Sequence, residues 1–384
     1  MTEKLYYKDS HIFSFSATVT DVTEYKGRPA LVLDRTAFFP EGGGQRADTG
    51  YIGASRVVDV HEYEGRILHF VDRVCEQGSV QDCAIDAEQR LCRMQNHSGE
   101  HIISGIVHNK YGYENVGFHM AEDCMTIDFS GELTWQQLEE AETLANEAVR
   151  ANIPIRTFFP SPEELPKMEY RSKLELTHDV RIVEIEGIDR CACCAPHVSR
   201  TGEIGVIKLL TADRHRGGVR ITLVCGMDAL RDFREKSENV RRISELLSVK
   251  KKDTADGVDR ILSEQERLKE KNAELSMKCA RLMAASYTAT DGNICVFENT
   301  LGDNAIRELV NLLAEKCAVA AVFSGDDVSG YKYIIGSVRT DLRTQTKKIN
   351  SAICGRGGGR STMIQGSCTG SRELIQKFLG SDII

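Results

Sequence analysis

The hydrophobic pattern changes period partway along the chain, and that change limits the folds open to it. Through residues 11–85, Phe13, Phe15, Ala17 and Val19 alternate with polar residues, Lys26-Gly27 supplies a turn, and Pro29 to Leu33 returns as a strand. This is the two-residue period of half-buried strands, and short strands at this spacing predict a small β-barrel. From Asp86 the period lengthens: Ile102, Ile103, Ile106 and Val107 recur at helical spacing until Tyr111-Gly112 stops the run. A second helix is expected to open at Thr134, whose Gln137 completes a capping box and which places Leu138, Ala141, Ala145, Ala148 and Val149 on one side.

Strand-like Val206 to Leu210 and Val219 to Val224 lead into a strongly charged stretch from Met227 to about Ala285. Two long helices folded back on each other fit it, with Asp256-Gly257 as the expected break. In the second helix Ile261, Leu268, Leu275 and Leu282 fall seven apart, a seam that suits a hairpin or a dimer, the hairpin being favoured because its partner helix is adjacent. The last hundred residues alternate strand and helix, with Ile306, Leu309, Val310 and Leu313 on one helical face. At 384 residues the chain is too long for one core. The expected fold is α+β in four parts: a β-barrel-like N-terminal domain (1–88), an α+β domain (89–226), a long helical hairpin (227–285) and a small C-terminal α/β domain (286–384).

Thirteen cysteines are an odd number, and Cys83, Cys295 and Cys317 lie singly in apolar stretches, so a disulfide scaffold is disfavoured. No apolar run approaches the roughly 20 residues that span a bilayer, and the polar start carries no signal-peptide pattern, which together predict a cytoplasmic protein without a membrane partner. A net charge of −8 argues against wholesale coating of nucleic acid. Residues 331–384 nevertheless hold nine Lys/Arg against three acids, a local +6, and a basic face can bind RNA on an acidic protein. Arg339, Arg343, Lys347, Lys348, Arg356 and Arg360 are its candidate phosphate contacts.

Three constellations carry chemistry. His97-Ser98-Gly99-Glu100-His101 sets two imidazoles one helical turn apart, close enough to share a metal. The zinc-protease reading fails, because Ser98 stands where that motif needs its glutamate base. Glu100 is a candidate proton acceptor, although the helix is expected to point it away from the histidines. Cys193-Cys194-Ala195-Pro196-His197 offers thiolate and imidazole around a tight turn, with Cys191 or Cys194 as alternatives to Cys193. By spacing alone this fits a structural and a catalytic zinc equally. Thr36-Ala37-Phe38-Phe39-Pro40-Glu41-Gly42-Gly43-Gly44-Gln45, followed by Asp48, matches no nucleotide-phosphate loop, and its glycines let backbone N–H groups approach a ligand.

In this order the three segments, with Thr201-Gly202-Glu203 after the last, resemble the AlaX family of alanyl-tRNA editing proteins and the editing region of alanyl-tRNA synthetases. The family pattern is Thr-x-Phe-Tyr-Pro-x-Gly-Gly-Gly-Gln, His-x-x-x-His and Cys-x-x-x-His followed by a Thr-Gly-Glu-type turn. Gly355-Arg356-Gly357-Gly358-Gly359-Arg360 and Gln365-Gly366 are similar to the Gly-rich end of the domain that closes those synthetases, so the likeness implies a long-form member. A related domain closes DHH phosphoesterases, but the chain has no Asp-His-His triplet. The chain departs from the pattern at Cys194-Ala195-Pro196, where the family has Gly-Gly-Thr, and at Phe39, where it has Tyr.

The resemblance implies a Zn2+ held by His97, His101, Cys193 and His197, which together form the catalytic centre. It implies hydrolysis of Ser-tRNA(Ala), with Gly-tRNA(Ala) as a second candidate, and tRNA(Ala) as partner. Thr36 is nominated to hydrogen-bond the serine hydroxyl, with Gln45 second and Gly42, Gly43 and Gly44 lining the same pocket; alanine would leave that polar contact unpaired. Four protein ligands would fill a tetrahedral ion, whereas a catalytic zinc keeps a position open. The competing readings are a non-catalytic, zinc-stabilised tRNA-binding protein and a metal-dependent amidohydrolase acting on a small molecule. A homodimer through the hairpin or the C-terminal domain is a further expectation.

Overall fold

Alternating side chains in the first ninety residues wrap around a core of their own. Strands β1 (Ser14–Tyr25), β2 (Arg28–Leu33), β3 (Gly50–Ile52), β4 (Ser55–Tyr63), β5 (Arg66–Val71) and β6 (Val80–Ile85) close into a barrel in the order β1-β2-β5-β4-β3-β6. Its interior is filled by Val19, Leu31, Leu33, Phe38, Ile52, Val57, Val60 and Ile67. The computed structural model describes residues 2–121, 124–172 and 180–380. These divide into two units, Met1–Asn239 and Val240–Ile384.

Helix α1 (Ala87–Tyr111) follows the barrel and ends where Gly112 adopts a left-handed φ of 71°. Strands β7 (Asn115–Met120) and β8 (Met125–Phe129) come next, then α2 (Trp135–Ala151). The capping box at the start of α2 is formed: Gln137 N–H donates to Thr134 Oγ1 at 3.3 Å, and Thr134 N–H donates to Gln137 Oε1 at 2.9 Å. Strands β9 (Ile155–Phe158), β10 (Ile182–Ile185) and β11 (Asp189–Ala192) form an antiparallel sheet whose last strand leads into the Cys193–His197 turn. Strands β12 (Ile207–His215) and β13 (Gly218–Cys225) complete a four-stranded sheet in the order β12-β13-β8-β7. Ile102, Ile103, Leu138, Ala141 and Ala145 from the helices share one core with Ile127, Leu209, Ile221 and Leu223 from that sheet.

Helix α3 (Gly226–Leu247) crosses the division between the units, and α4 (Thr254–Ser286) lies in the second. The break between these helices falls at Ser248, φ 52°, and not at the expected Asp256-Gly257, which lies inside α4. Gly257 is retained for packing: a Cβ there would meet Leu247 Cδ1 at 2.9 Å. Ile261, Leu268, Leu275 and Leu282 are 52%, 51%, 49% and 73% exposed, so the heptad column is not covered by a hairpin partner. The opposite side of α4 is the buried one, with Ala280 and Ala284 entering the core beside β14 (Ile294–Phe297) and α5 (Asp303–Ala314).

That core continues into a five-stranded sheet. It adds β15 (Ala320–Asp326), β16 (Gly330–Gly336), then α6 (Leu342–Ala352), β17 (Gly355–Gly359), β18 (Met363–Cys368) and α7 (Arg372–Leu379). The order is β14-β15-β16-β18-β17, with β14 and β15 parallel and the other neighbours antiparallel. The glycine-rich segment is thus an edge strand. Among the described residues no helix is long and apolar enough to cross a membrane.

Thr36 is tied to the barrel through His69. The ring of His69 donates through Nδ1 to Leu31 O at 3.0 Å, which leaves Nε2 to accept the Thr36 hydroxyl at 2.8 Å. Thr36 Oγ1 accepts in turn from Phe38 N–H at 3.1 Å. Burial pushes His69 down to about 4, against a weaker upward pull from the Leu31 carbonyl. The unfolded chain therefore takes up the proton first as pH falls. Stability carried by neutral His69 is full above about pH 6.5 and declines between there and pH 4, by up to about 3 kcal/mol. Urea titrations across this window are expected to show that decline, and His69→Gln is expected to remove its share of the slope. Thr36→Val, which leaves Nε2 without a donor, is expected to cost about 1–3 kcal/mol at pH 7.

Candidate functional site

The middle turns of α1 are buried on every side, from Met94 through Gly105. A polar group there must find a partner in the protein, because water cannot reach it. Gln95 donates to Glu203 O at 2.8 Å and Asn96 donates to Asp228 at 2.6 Å. Arg90 is sealed against Asp48, donating through Nε at 3.0 and 2.9 Å to its two oxygens. Asp48 Oδ2 also accepts the N–H of Phe39 at 2.6 Å, so this ion pair fastens the glycine loop to the helix. Gly99 lets the helix approach β13, since a Cβ would lie 2.3 Å from Cys225 Sγ.

Out of this packing His97 and His101 project toward the turn that carries Cys193 and His197. The four ligand atoms lie within 4.8 Å of one another. Cys193 Sγ is 3.6 Å from His97 Nε2 and 3.5 Å from His197 Nε2. Each Nδ1 is occupied from behind: His97 donates to Gln45 Oε1 at 2.9 Å, His101 to Asp189 Oδ2 at 2.9 Å and His197 to Ser98 Oγ at 3.0 Å. All three rings thereby turn Nε2 inward beside one sulfur, the arrangement of a zinc-type site with outer partners that fix its tautomers. The donor set fits Zn2+. Cys193 is the cysteine whose sulfur joins all three imidazoles; Cys191 groups only with His101 and Asp189, and Cys194 with neither set.

The electrostatics of Cys193 and His197 agree with ligand chemistry, whereas His101 would have to release a proton to bind an ion. Burial pushes the Cys193 thiol up, but the neighbouring His97 and hydrogen bonds from His101 and His197 outweigh it and hold the group well below the ordinary thiol range. Burial pushes His197 down to about 3, leaving its imidazole neutral. His101 is raised well above an ordinary imidazole: burial opposes its charge, and the bonds to Asp189 and Cys193 overcome that. Asp189 is held in turn by Arg171, which donates to it at 2.7 and 2.9 Å. Arg181 secures the turn, donating to Cys193 O at 3.0 Å and Ala195 O at 2.8 Å.

A cavity of about 490 Å3 opens onto this cluster, with His97, His101, Cys191, Cys193, Cys194, Gly43 and Gly44 in its wall. Gly44 needs its left-handed φ of 80°, and a Cβ there would strike Phe118 at 2.6 Å. Gly42 packs near Cys194 Sγ and closes a tight turn with Gln45. Gln45 lies behind His97 with its amide Nε2 buried and unpartnered among the described residues. Thr36 is absent from the cavity wall, its hydroxyl committed to His69. Glu100, expected to point away, lines the cavity instead, its Oε1 held by Ser104 and Asn115 and its Oε2 beside His101. Asp189, Arg171, Arg181 and Ser98 escaped sequence reasoning; only Ser98, inside the histidine motif, carried a signal, and it was read as an exclusion.

The basic residues lie in the second unit. Arg339 pairs with Asp291 at 3.3 Å and Arg343 with Asp341 at 2.7 Å. Arg356 and Arg360, on and just after edge strand β17, are exposed and carry no recorded ion pair among the described residues, and Lys347 and Lys348 are exposed on α6.

Residues 180–244 match the family described as the threonyl and alanyl tRNA synthetase second additional domain, and residues 2–88 match the class II (A) tRNA synthetases. The chain is 27% identical to the alanyl-tRNA editing protein AlaX-L of Pyrococcus horikoshii, over 98% of this chain and 96% of that protein. It is 27% identical to the alanyl-tRNA editing protein Aarsd1 of Danio rerio, over 87% of this chain and 83% of that one. It is also 27% identical to the alanine–tRNA ligase of Ignicoccus hospitalis, over 98% of this chain but only 42% of the ligase. The chain thus spans less than half of that ligase and nearly all of AlaX-L. With a His/Cys cluster assembled from the two motifs and a likeness that runs from end to end, the chain is similar to the AlaX-type alanyl-tRNA editing proteins.

Proposed function

We propose that this protein is a zinc-dependent aminoacyl-tRNA hydrolase that clears serine from mischarged tRNA(Ala) in trans, with glycine as a second substrate. The observation that carries this reading is the convergence of His97, His101, Cys193 and His197 on one point in the wall of a cavity. A zinc ion held by these four residues would supply Lewis-acid chemistry to the ester. The aminoacyl ester is an activated bond, so the chain's own part is to orient it and relieve charge on the developing oxyanion. The N–H groups of Gly43 and Gly44 donate to no acceptor among the described residues and are offered to that oxygen. Gln45, fully buried behind His97 and, like Thr36, outside the cavity wall, holds that ring in place, so reading of the serine hydroxyl falls to the groups that do line the cavity.

The second unit supplies affinity for the body of the tRNA. Arg356 and Arg360 are the foremost phosphate contacts, with Lys347 and Lys348 beside them on α6 and Arg339 and Arg343 engaged through exchange of their acidic partners. Action on mischarged tRNA would put the protein in the cytoplasm.

Purified protein is expected to deacylate Ser-tRNA(Ala) faster than Ala-tRNA(Ala), to lose this with a chelator and to regain it with zinc. His97→Ala with full metal content and full rate would falsify the assignment. Zinc and tRNA binding without turnover would favour the non-catalytic reading, and turnover of small amides without tRNA binding the amidohydrolase. Asp189→Asn, which weakens the acceptor behind His101, is expected to lower zinc affinity about 10- to 100-fold in competition with a chromogenic chelator. Arg356→Ala combined with Arg360→Ala is expected to weaken tRNA binding and reduce the slope of log affinity against log salt by about one to two; an unchanged slope removes them from the interface.

A further inference from the structure

Glu100 is a buried carboxylate, 4% exposed, in the wall of the cavity. Its Oε1 accepts from Ser104 Oγ at 2.7 Å and from Asn115 Nδ2, two neutral donors that fix its orientation. Oε2 accepts no hydrogen bond among the described residues and lies 3.7 Å from His101 Nε2, on the side where the metal ligands converge. Arg171 is held bidentately by Asp189 and Arg181 by two carbonyls, so neither is hydrogen-bonded to Glu100. His101 is its nearest cationic neighbour but lies beyond hydrogen-bond reach of Oε2, and a buried carboxylate oxygen left without a donor is costly. A hydrophobic or amide side chain would fill the same space at lower cost.

We propose that Glu100 is the subsite for the substrate's α-ammonium group, an assignment that rests on the hydrolase reading above. An aminoacyl ester carries its ammonium one carbon from the ester carbonyl. A substrate whose carbonyl sits against the inward-facing Nε2 atoms therefore brings that cation to Oε2, the oxygen left open. Ser104 and Asn115 act as positioning residues that hold Oε1 and leave Oε2 toward the cavity. The subsite confers a selection that neither the metal nor the glycine loop supplies: an acyl group with a free amino terminus is accepted, and an N-acylated one, as in peptidyl-tRNA, is refused for lack of charge and for bulk.

The test uses the zinc-loaded full chain and two non-hydrolysable probes, 3′-seryl-amino-3′-deoxyadenosine and its counterpart with hydroxyl in place of the α-amino group. Wild type is expected to bind the ammonium probe about 10- to 100-fold tighter by calorimetry, the range of a charge-assisted hydrogen bond. Glu100→Gln, which keeps an acceptor for Ser104 and Asn115, is expected to bind the two equally while zinc content and melting temperature hold. Deacylation rates on Ser-tRNA(Ala) and on the same tRNA deaminated to its 2-hydroxyacyl form are expected to show the same convergence in kcat/KM. A preference that survives in Glu100→Gln, its absence in wild type, or an equal loss on both substrates, as a proton acceptor would give, overturns the subsite. Wild-type turnover of Ser-tRNA(Ala) with such a result leaves the hydrolase reading standing; no turnover removes both.

Discussion

The structure turns on one helix whose middle has no solvent side. Between Met94 and Gly105 every residue of α1 is buried or nearly so, yet the segment contains Gln95, Asn96, His97, Ser98, Glu100, His101 and Ser104. Buried polar groups without partners are expensive, so the surrounding elements are arranged as acceptors and donors for this one stretch. Gln45 from the glycine loop, Asp189 from β11 and Asp228 from α3 each reach it from distant parts of the sequence. The result is a preorganised set of imidazoles rather than a flexible one. Their outer nitrogens are tied down, and only the inner nitrogens are free to meet a metal.

The same demand couples the barrel to the helix. Asp48 satisfies buried Arg90 while taking the N–H of Phe39, so the loop carrying Gly42, Gly43 and Gly44 cannot shift without breaking an ion pair that has no water to replace it. That loop is consequently set at a fixed distance from Cys194 and Phe118. Thr36, at the beginning of the same motif, has a structural duty instead. Its hydroxyl completes the hydrogen bonding of His69, a ring that burial keeps neutral.

Electrostatics divide the protein in a way the net charge of −8 conceals. In the first unit the charges that matter are buried and paired, as in Arg90 with Asp48 and Arg171 with Asp189, and act by holding geometry. In the second unit they are exposed, and pairs such as Arg343 with Asp341 are screened by solvent and contribute little to stability. Exposed cations of this kind exchange partners readily, which would suit the proposed contact with a polyanion.

Periodicity alone determined the barrel strands, the helix that bears the histidines, the capped start of α2 and the apolar face of α5, because each reflects a local repeat of side-chain character. The candidate ligand residues were legible for a related reason: imidazole and thiolate at one-turn or tight-turn spacing are groups that a metal favours. What sequence could not decide were pairings between distant segments. The break after Leu247 depended on Leu247 seating against Gly257, the exposure of the leucine column on Ala280 and Ala284 being the face that docks, and the fate of Thr36 on His69 arriving from another strand. Glu100 is the sharpest instance, since helical spacing sets its angle relative to His101 but only the packing of Ser104 and Asn115 around it settles that its carboxylate enters the cavity. Local chemistry is written in neighbouring residues, whereas the partner of a buried polar group is chosen when the chain folds.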